Sequence, residues 1–146
     1  MKKIFAFLVM ALLTIQFSVA SDVITMNPKD LPAAAQTFIK QYFGDRKVSY
    51  IKVESELFSK TYEVVMTDRT KIEFDGKGSW EEVDCKRGVL PEALVVPSYA
   101  KTFIGTQYPG VTCNKIERDR GEVEVGLSNG LSLKFNKKGQ LIDIDD

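Results

Sequence analysis

A stretch of this chain recurs within it, and no other feature limits its possible folds so strongly. Leu31-Pro-Ala-Ala-Ala-Gln-Thr-Phe-Ile39 aligns with Val96-Pro-Ser-Tyr-Ala-Lys-Thr-Phe-Ile104 at an offset of 65 residues. Lys52-Val-Glu54 then aligns with Lys115-Ile-Glu117 at 63, and Tyr62-Glu-Val-Val-Met66 with Val123-Glu-Val-Gly-Leu127 at 61. Ile72-Glu-Phe-Asp-Gly-Lys-Gly78 pairs with Leu133-Lys-Phe-Asn-Lys-Lys-Gly139 at the same offset of 61. Each change of offset is two residues and falls between expected elements. A two-residue change keeps every strand side chain on its original face, whereas a one-residue slip would invert them all. The chain is therefore expected to contain one supersecondary unit twice, with both copies sharing a sheet.

Each unit opens on a helical pattern. Leu31, Ala35, Phe38, Ile39 and Tyr42 share one helical face, and Val96, Ala100, Phe103 and Ile104 repeat the spacing. Pro32 and Pro97 suit a first turn, Asp30 is a candidate N-cap, and Gly44 and Pro109-Gly110 end the helices. Strands are expected at 48–57, 62–67, 71–75 and 79–84, then at 112–118, 122–127, 131–136 and 140–145. Alternation turns Tyr62, Val64, Met66, Ile72 and Phe74 toward the helix in the first unit, and Val123, Val125, Leu127, Leu133 and Phe135 in the second. Glu63, Lys71, Glu73, Glu124 and Lys134 then point away. The expected class is α+β: two helix-plus-four-strand units (21–85 and 96–146, joined by a linker at 86–95) in one antiparallel sheet of about eight strands. Helices cover one face and leave the other open.

Residues 1–20 read as a targeting signal. Lys2 and Lys3 precede an apolar run from Ile4 to about Val19, and Ser18-Val-Ala20 is a small-x-small cleavage site. The run falls short of the roughly 20 residues a membrane helix needs. Ser21 rather than a cysteine would follow the cut. These features imply a periplasmic or secreted domain, without a membrane anchor after cleavage.

Composition excludes several chemistries. The chain has no histidine, so the usual general base and commonest metal ligand are missing together. Lys and Arg number 20 against 20 Asp and Glu, and the basic residues are scattered, which leaves no nucleic-acid footprint. No phosphate loop or nucleophile elbow is present. In an oxidising exported compartment Cys85 and Cys113 are expected to form a disulfide, closing a loop of about 28 residues for about 3 kcal/mol, with two buried thiols as the alternative. Two cysteines without histidine cannot build a structural zinc site. Asp75-Gly-Lys-Gly78 resembles a calcium loop faintly, but Lys77 takes a ligand position and a hairpin turn fits better. The acids at 81–84 and 143–146 belong to strand ends. Trp80, aligned with Leu141, is either packing at the sheet end or an exposed anchor for a partner.

The pattern Leu31-Pro32, Phe38-Ile39, Phe43-Gly44, Ile51-Lys-Val-Glu54, Tyr62-Glu-Val64, Lys71-Ile-Glu-Phe-Asp-Gly76 and Gly78-Ser-Trp80 resembles the exported PepSY-like domains of Bacteroidetes. The resemblance covers about 31–84 closely and about 96–145 more loosely. It implies the fold of the beta-lactamase inhibitor protein, with tandem αβ4 units in one curved sheet. It brings no catalytic residues, no cofactor and no metal. The expected function is non-enzymatic binding of a protein or peptide on the open face, with hydrolase inhibition as its sharpest form. The candidate residues are Glu63, Val65, Lys71, Glu73, Trp80, Glu124 and Lys134. Binding of a small ligand or metal ion in the cell envelope is the alternative.

Overall fold

A computed structural model describes residues 21–94 and 97–146. The leader read in residues 1–20 lies outside the described residues, as do Val95 at the end of the linker and Val96 at the start of the second helical pattern. The elements run β1 (Ser21–Thr25), α1 (Ala33–Phe43), β2 (Val48–Ser55), β3 (Lys60–Met66), β4 (Lys71–Phe74) and β5 (Trp80–Asp84). They continue with α2 (Ser98–Gln107), β6 (Cys113–Asp119), β7 (Glu122–Leu127), β8 (Ser132–Phe135) and β9 (Leu141–Asp145). All nine strands form one antiparallel sheet in chain order, so even β5 and β6, with α2 between them, are hydrogen-bonded neighbours.

Register explains the core. Ile51, Val64, Ile72, Val83, Ile116, Val125 and Leu133 stand opposite one another on successive strands, in one cross-sheet row. All seven are buried. A second apolar row, Val53–Tyr62–Phe74–Trp80, lies beside it on the same face. The helices cover these rows with aromatic side chains. Phe38 of α1 meets Phe74 edge-on at 5.5 Å between ring centroids, and Phe103 of α2 meets Phe135 edge-on at 5.8 Å. Leu31, Ala35, Ala100 and Ile104 complete the contact as buried residues.

Turn glycines allow this close approach. Gly78 has φ +87°, and a Cβ there would lie 2.9 Å from the Ala35 nitrogen and from Pro32 Cβ. Gly139, at φ +77°, passes under Tyr99, where a Cβ would come within 2.8 Å of the ring. Each hairpin turn thus presses its backbone against the start of a helix, in a conformation that only glycine adopts without strain.

Several expectations need correction. The sheet has nine strands among the described residues, because Ser21–Thr25 adds an edge strand paired with β2. Asp30 does not cap α1. Pro32 takes that position without a side-chain cap, and the Asp30 carboxylate instead accepts the Thr25 hydroxyl at 2.5 Å. The linker is partly structured, with a 3-10 turn at Glu92–Leu94 and with Leu90 and Leu94 buried. Four bulges interrupt the ladders, at Ser49, Glu81, Asn114 and Ile142.

Candidate functional site

The row next to the buried one faces the other way, and it is acidic. Lys52, Glu63, Glu73, Glu82, Glu117, Glu124, Lys134 and Asp143 are direct cross-strand partners on eight consecutive strands. Five glutamates thus stand side by side on β3 to β7. Like charges directly opposite on neighbouring strands destabilise a sheet, so the row needs counter-charge. Two lysines of the adjacent row supply part of it. Lys71 Nζ lies 2.9 Å from Glu73, 3.6 Å from Glu63 and 3.8 Å from Glu82. Lys115 Nζ lies 3.6 Å from both Glu82 and Glu117. Glu124 instead accepts the Ser132 hydroxyl, and Lys134 pairs with Glu122 at 2.9 Å.

The electrostatics follow from this crowding. Burial depresses the Lys71 ammonium pKa, but the Glu73 hydrogen bond and the charges of Glu73, Glu82 and Glu63 outweigh it and hold the group above its usual range. Burial pushes the Glu82 carboxyl up, and Glu73 and Glu117 add to that against the opposing pull of Lys115 and Lys71. A carboxyl held above its unfolded-state value takes up protons on folding. Its contribution to stability is full below the unfolded value and is lost as pH rises through the folded one. Glu82→Gln is therefore expected to stabilise the protein at pH 7 by a few tenths to about 1 kcal/mol. That gain should vanish as pH falls below the ordinary carboxylate value of 4.5. Thermal melts of both proteins across this range check the sign.

The structure gathers Glu63, Lys71, Glu73, Glu124 and Lys134 on the open face as the alternation required, and Val65 lies there opposite Lys71. It adds Glu82 and Glu117, which single-strand alternation does not single out. Glu82 enters the row opposite Glu73 and Glu117 opposite Glu124, and the register of β5 against β6 sets the two face to face.

Trp80 is not on this face. The bulge at Glu81 reverses the alternation of β5, and Trp80 packs on the helix side, 6.1 Å from the Phe38 ring. The Arg118 guanidinium covers its other side at 4.0 Å, while Nε donates to the Trp80 carbonyl at 2.6 Å and Nη2 to Ser79 Oγ at 2.9 Å. Trp80→Ala should accordingly cost about 2–4 kcal/mol of stability in a urea melt. The same variant should leave binding at the open face unchanged.

The expected disulfide is also absent, and both cysteines are free thiols. Cys85 stands opposite Asn114, its N–H donating to the Asn114 carbonyl at 2.8 Å, whereas Cys113 pairs with Leu127. Cys85 lines one hollow with Thr70 and Arg46, and Cys113 lines a separate one with Leu90, Ile104 and Val111. Burial pushes both thiols up, so neither is an activated nucleophile. Asp75 Oδ1 accepts the N–H groups of Lys77 and Ser79 at 2.9 Å each, which makes the Asp75–Gly78 segment a hydrogen-bonded turn. Among the described residues no three Asp, Glu or Cys side chains are arranged to hold a metal ion.

Fold and face together define a class: an α+β domain with helices on one side of an antiparallel sheet and an open, charged surface on the other. The chain belongs to the PepSY-like family, whose model, "Putative beta-lactamase-inhibitor-like, PepSY-like", matches residues 60–143. Three solved structures are similar over 86% of this chain. One, from Bacteroides vulgatus, is a "putative periplasmic protein" of the DUF2874 family, with 44% identity, 98% of its length covered and a TM-score of 0.81. Another, from Bacteroides thetaiotaomicron, is a "putative calcium-regulated periplasmic protein", with 46% identity, 97% covered and a TM-score of 0.80. A third, again from Bacteroides vulgatus, is a "putative periplasmic protein of unknown function", with 36% identity, 100% covered and a TM-score of 0.81. No protein of curated function matches the chain. The family is periplasmic and its function is not established.

Proposed function

We propose that this protein is a non-enzymatic binding protein that takes a positively charged segment of a protein or peptide onto the open face of its sheet. The observation that carries this reading is the row of five glutamates, Glu63, Glu73, Glu82, Glu117 and Glu124, set against two interleaved lysines. The row leaves carboxylate oxygens free for added cations, and a lysine- or arginine-rich strand laid across it would relieve like-charge repulsion. The hydrolase-inhibitor version required an apolar or aromatic patch on this face. With Trp80 on the helix side, what remains there is the half-buried pair Tyr50 and Val65, opposite each other on β2 and β3, and exposed Ile24 on the edge strand. These make a small apolar margin beside a face that is otherwise charged. The non-enzymatic reading is supported by the lack of histidine and by thiols that burial keeps protonated.

The reading of 21–85 and 96–146 as two copies of one unit is supported by the bulges. Those at Glu81 and Ile142 are 61 apart, as in the sequence. Those at Ser49 and Asn114 are 65 apart, so β2 and β6 correspond at the helix offset of 65, with Ile51 equivalent to Ile116, rather than at the 63 read from Lys52-Val-Glu54 and Lys115-Ile-Glu117.

A titration calorimetry experiment with a lysine-rich peptide tests the proposal. Binding should weaken steeply as salt rises from about 50 to about 200 mM. A peptide of equal length with glutamine in place of lysine should not bind. Equal binding of both peptides, or of neither, would overturn it. Calcium binding is a second reading, favoured by the relative described as calcium-regulated. It requires the carboxylates to rearrange, since no ready metal site exists among the described residues. A rise in Tm with millimolar calcium, lost in Glu73→Gln/Glu117→Gln, would support it.

A further inference from the structure

The basic residues that look scattered in the sequence are not scattered in space. Arg46 from the α1–β2 loop, Arg69 from the β3–β4 turn, and Lys86 and Arg87 from the segment after β5 surround one hollow of about 620 Å³ at an end of the sheet. Thr70, the one buried polar residue among the described residues, belongs to its wall. Arg46 Nη1 donates to Thr70 Oγ1 at 3.0 Å and pairs with Asp68 at 3.1 Å. Lys86 pairs with Asp84 at 2.6 Å. Among the described residues Arg69 and Arg87 have no acidic partner, so the hollow carries uncompensated positive charge.

Arg69 (φ 72°) and Lys86 (φ 55°) both occupy the left-handed region that favours glycine. The corresponding place in the β7–β8 turn, after Asn129, is filled by Gly130 at φ 92°. Arg120 (φ 49°) takes the same conformation in the β6–β7 turn, away from this hollow, so the conformation belongs to tight turns of this sheet. Here it brings two cationic side chains to the rim of one hollow.

We propose that this hollow binds a phosphate group. Arginine forks match the oxygens of a tetrahedral oxyanion with paired N–H donors, and the Lys86 ammonium adds a point charge. The site lies apart from the glutamate row and needs no contribution from it.

Isothermal titration of the whole exported domain with inorganic phosphate, at ionic strength held constant with sodium chloride, tests the assignment. The comparison variant is Arg69→Gly/Arg87→Ala. Glycine suits the φ at 69, so the variant should melt at or above the wild-type temperature without phosphate. Phosphate should bind the wild type and bind the variant about tenfold or more weakly, as expected for loss of charge-assisted hydrogen bonds. Flotation with phosphatidic acid vesicles identifies the source of the group. Vesicle capture that the variant abolishes makes it a lipid headgroup, whereas phosphate binding without capture makes it a soluble ligand. Failure of the wild type to bind phosphate, or equal affinity in wild type and variant, would overturn the proposal.

Discussion

Phe74→Ala is expected to destabilise the protein by about 3–5 kcal/mol, the range for deleting a fully buried aromatic ring. Phe74 is completely buried, packs edge-on against Phe38, and stands between Tyr62 and Trp80 in the second apolar row. Its loss would open a void where strand β4, helix α1 and the β5 bulge meet, and none of these can close it without moving the register. Single domains of this size hold about 5–15 kcal/mol in all, so the variant should lose about a fifth of its stability or more. In urea the midpoint should fall with little change of slope. A loss below about 1 kcal/mol would mean that the helix does not rest on this row.

Neutralising the centre of the acidic face should have the largest functional effect. Glu73→Gln/Glu117→Gln removes two of the five glutamates, one beside Lys71 and one beside Lys115. Affinity for a lysine-rich peptide should fall about tenfold or more, and the slope of affinity against salt should flatten. Stability should rise or hold, because relief of like-charge repulsion is worth about 0.2–1 kcal/mol per cross-strand pair. Opposite movements of binding and stability separate a functional surface from a structural one. If both fell together, the glutamates would be holding the sheet rather than a ligand. Calorimetry and thermal melts on the same samples measure both.

Much of this arrangement was legible in the residues. The alternation of Tyr62, Val64 and Met66 with Glu63 and Val65 assigns both faces of β3, and the matching of Ile72–Gly78 with Leu133–Gly139 does so for β4 and β8. The open face and five of its charged candidates follow from that. The wider carboxylate row does not, because it depends on which residue of one strand stands opposite which residue of the next. Glu82 and Glu117 meet only through β5–β6 pairing across the linker and α2. Trp80 illustrates the limit more sharply. One bulge at Glu81 moves it from the open face to the helix side, and nothing in Gly78-Ser-Trp-Glu-Glu82 announces a bulge. Strand β1 was hidden for another reason. Ser21–Thr25 buries little, so it lacks an amphipathic signature and owes its form to pairing with β2. The cysteines looked like a bridge on the strength of compartment alone, whereas register sets Cys85 against Asn114.

On the function proposed above, the glutamate row of the open face is the binding surface. Backbone amide chemical shifts, recorded while a lysine-rich peptide is titrated into the isotope-labelled domain, test it most directly. The largest shifts should fall on Glu63, Glu73, Glu82, Glu117 and Glu124 and on Lys71 and Lys115 between them, while α1, α2 and Trp80 stay in place. Shifts centred on the helices, or on the exposed hairpin tip at Leu57-Phe58, with the glutamate row unmoved, would contradict it.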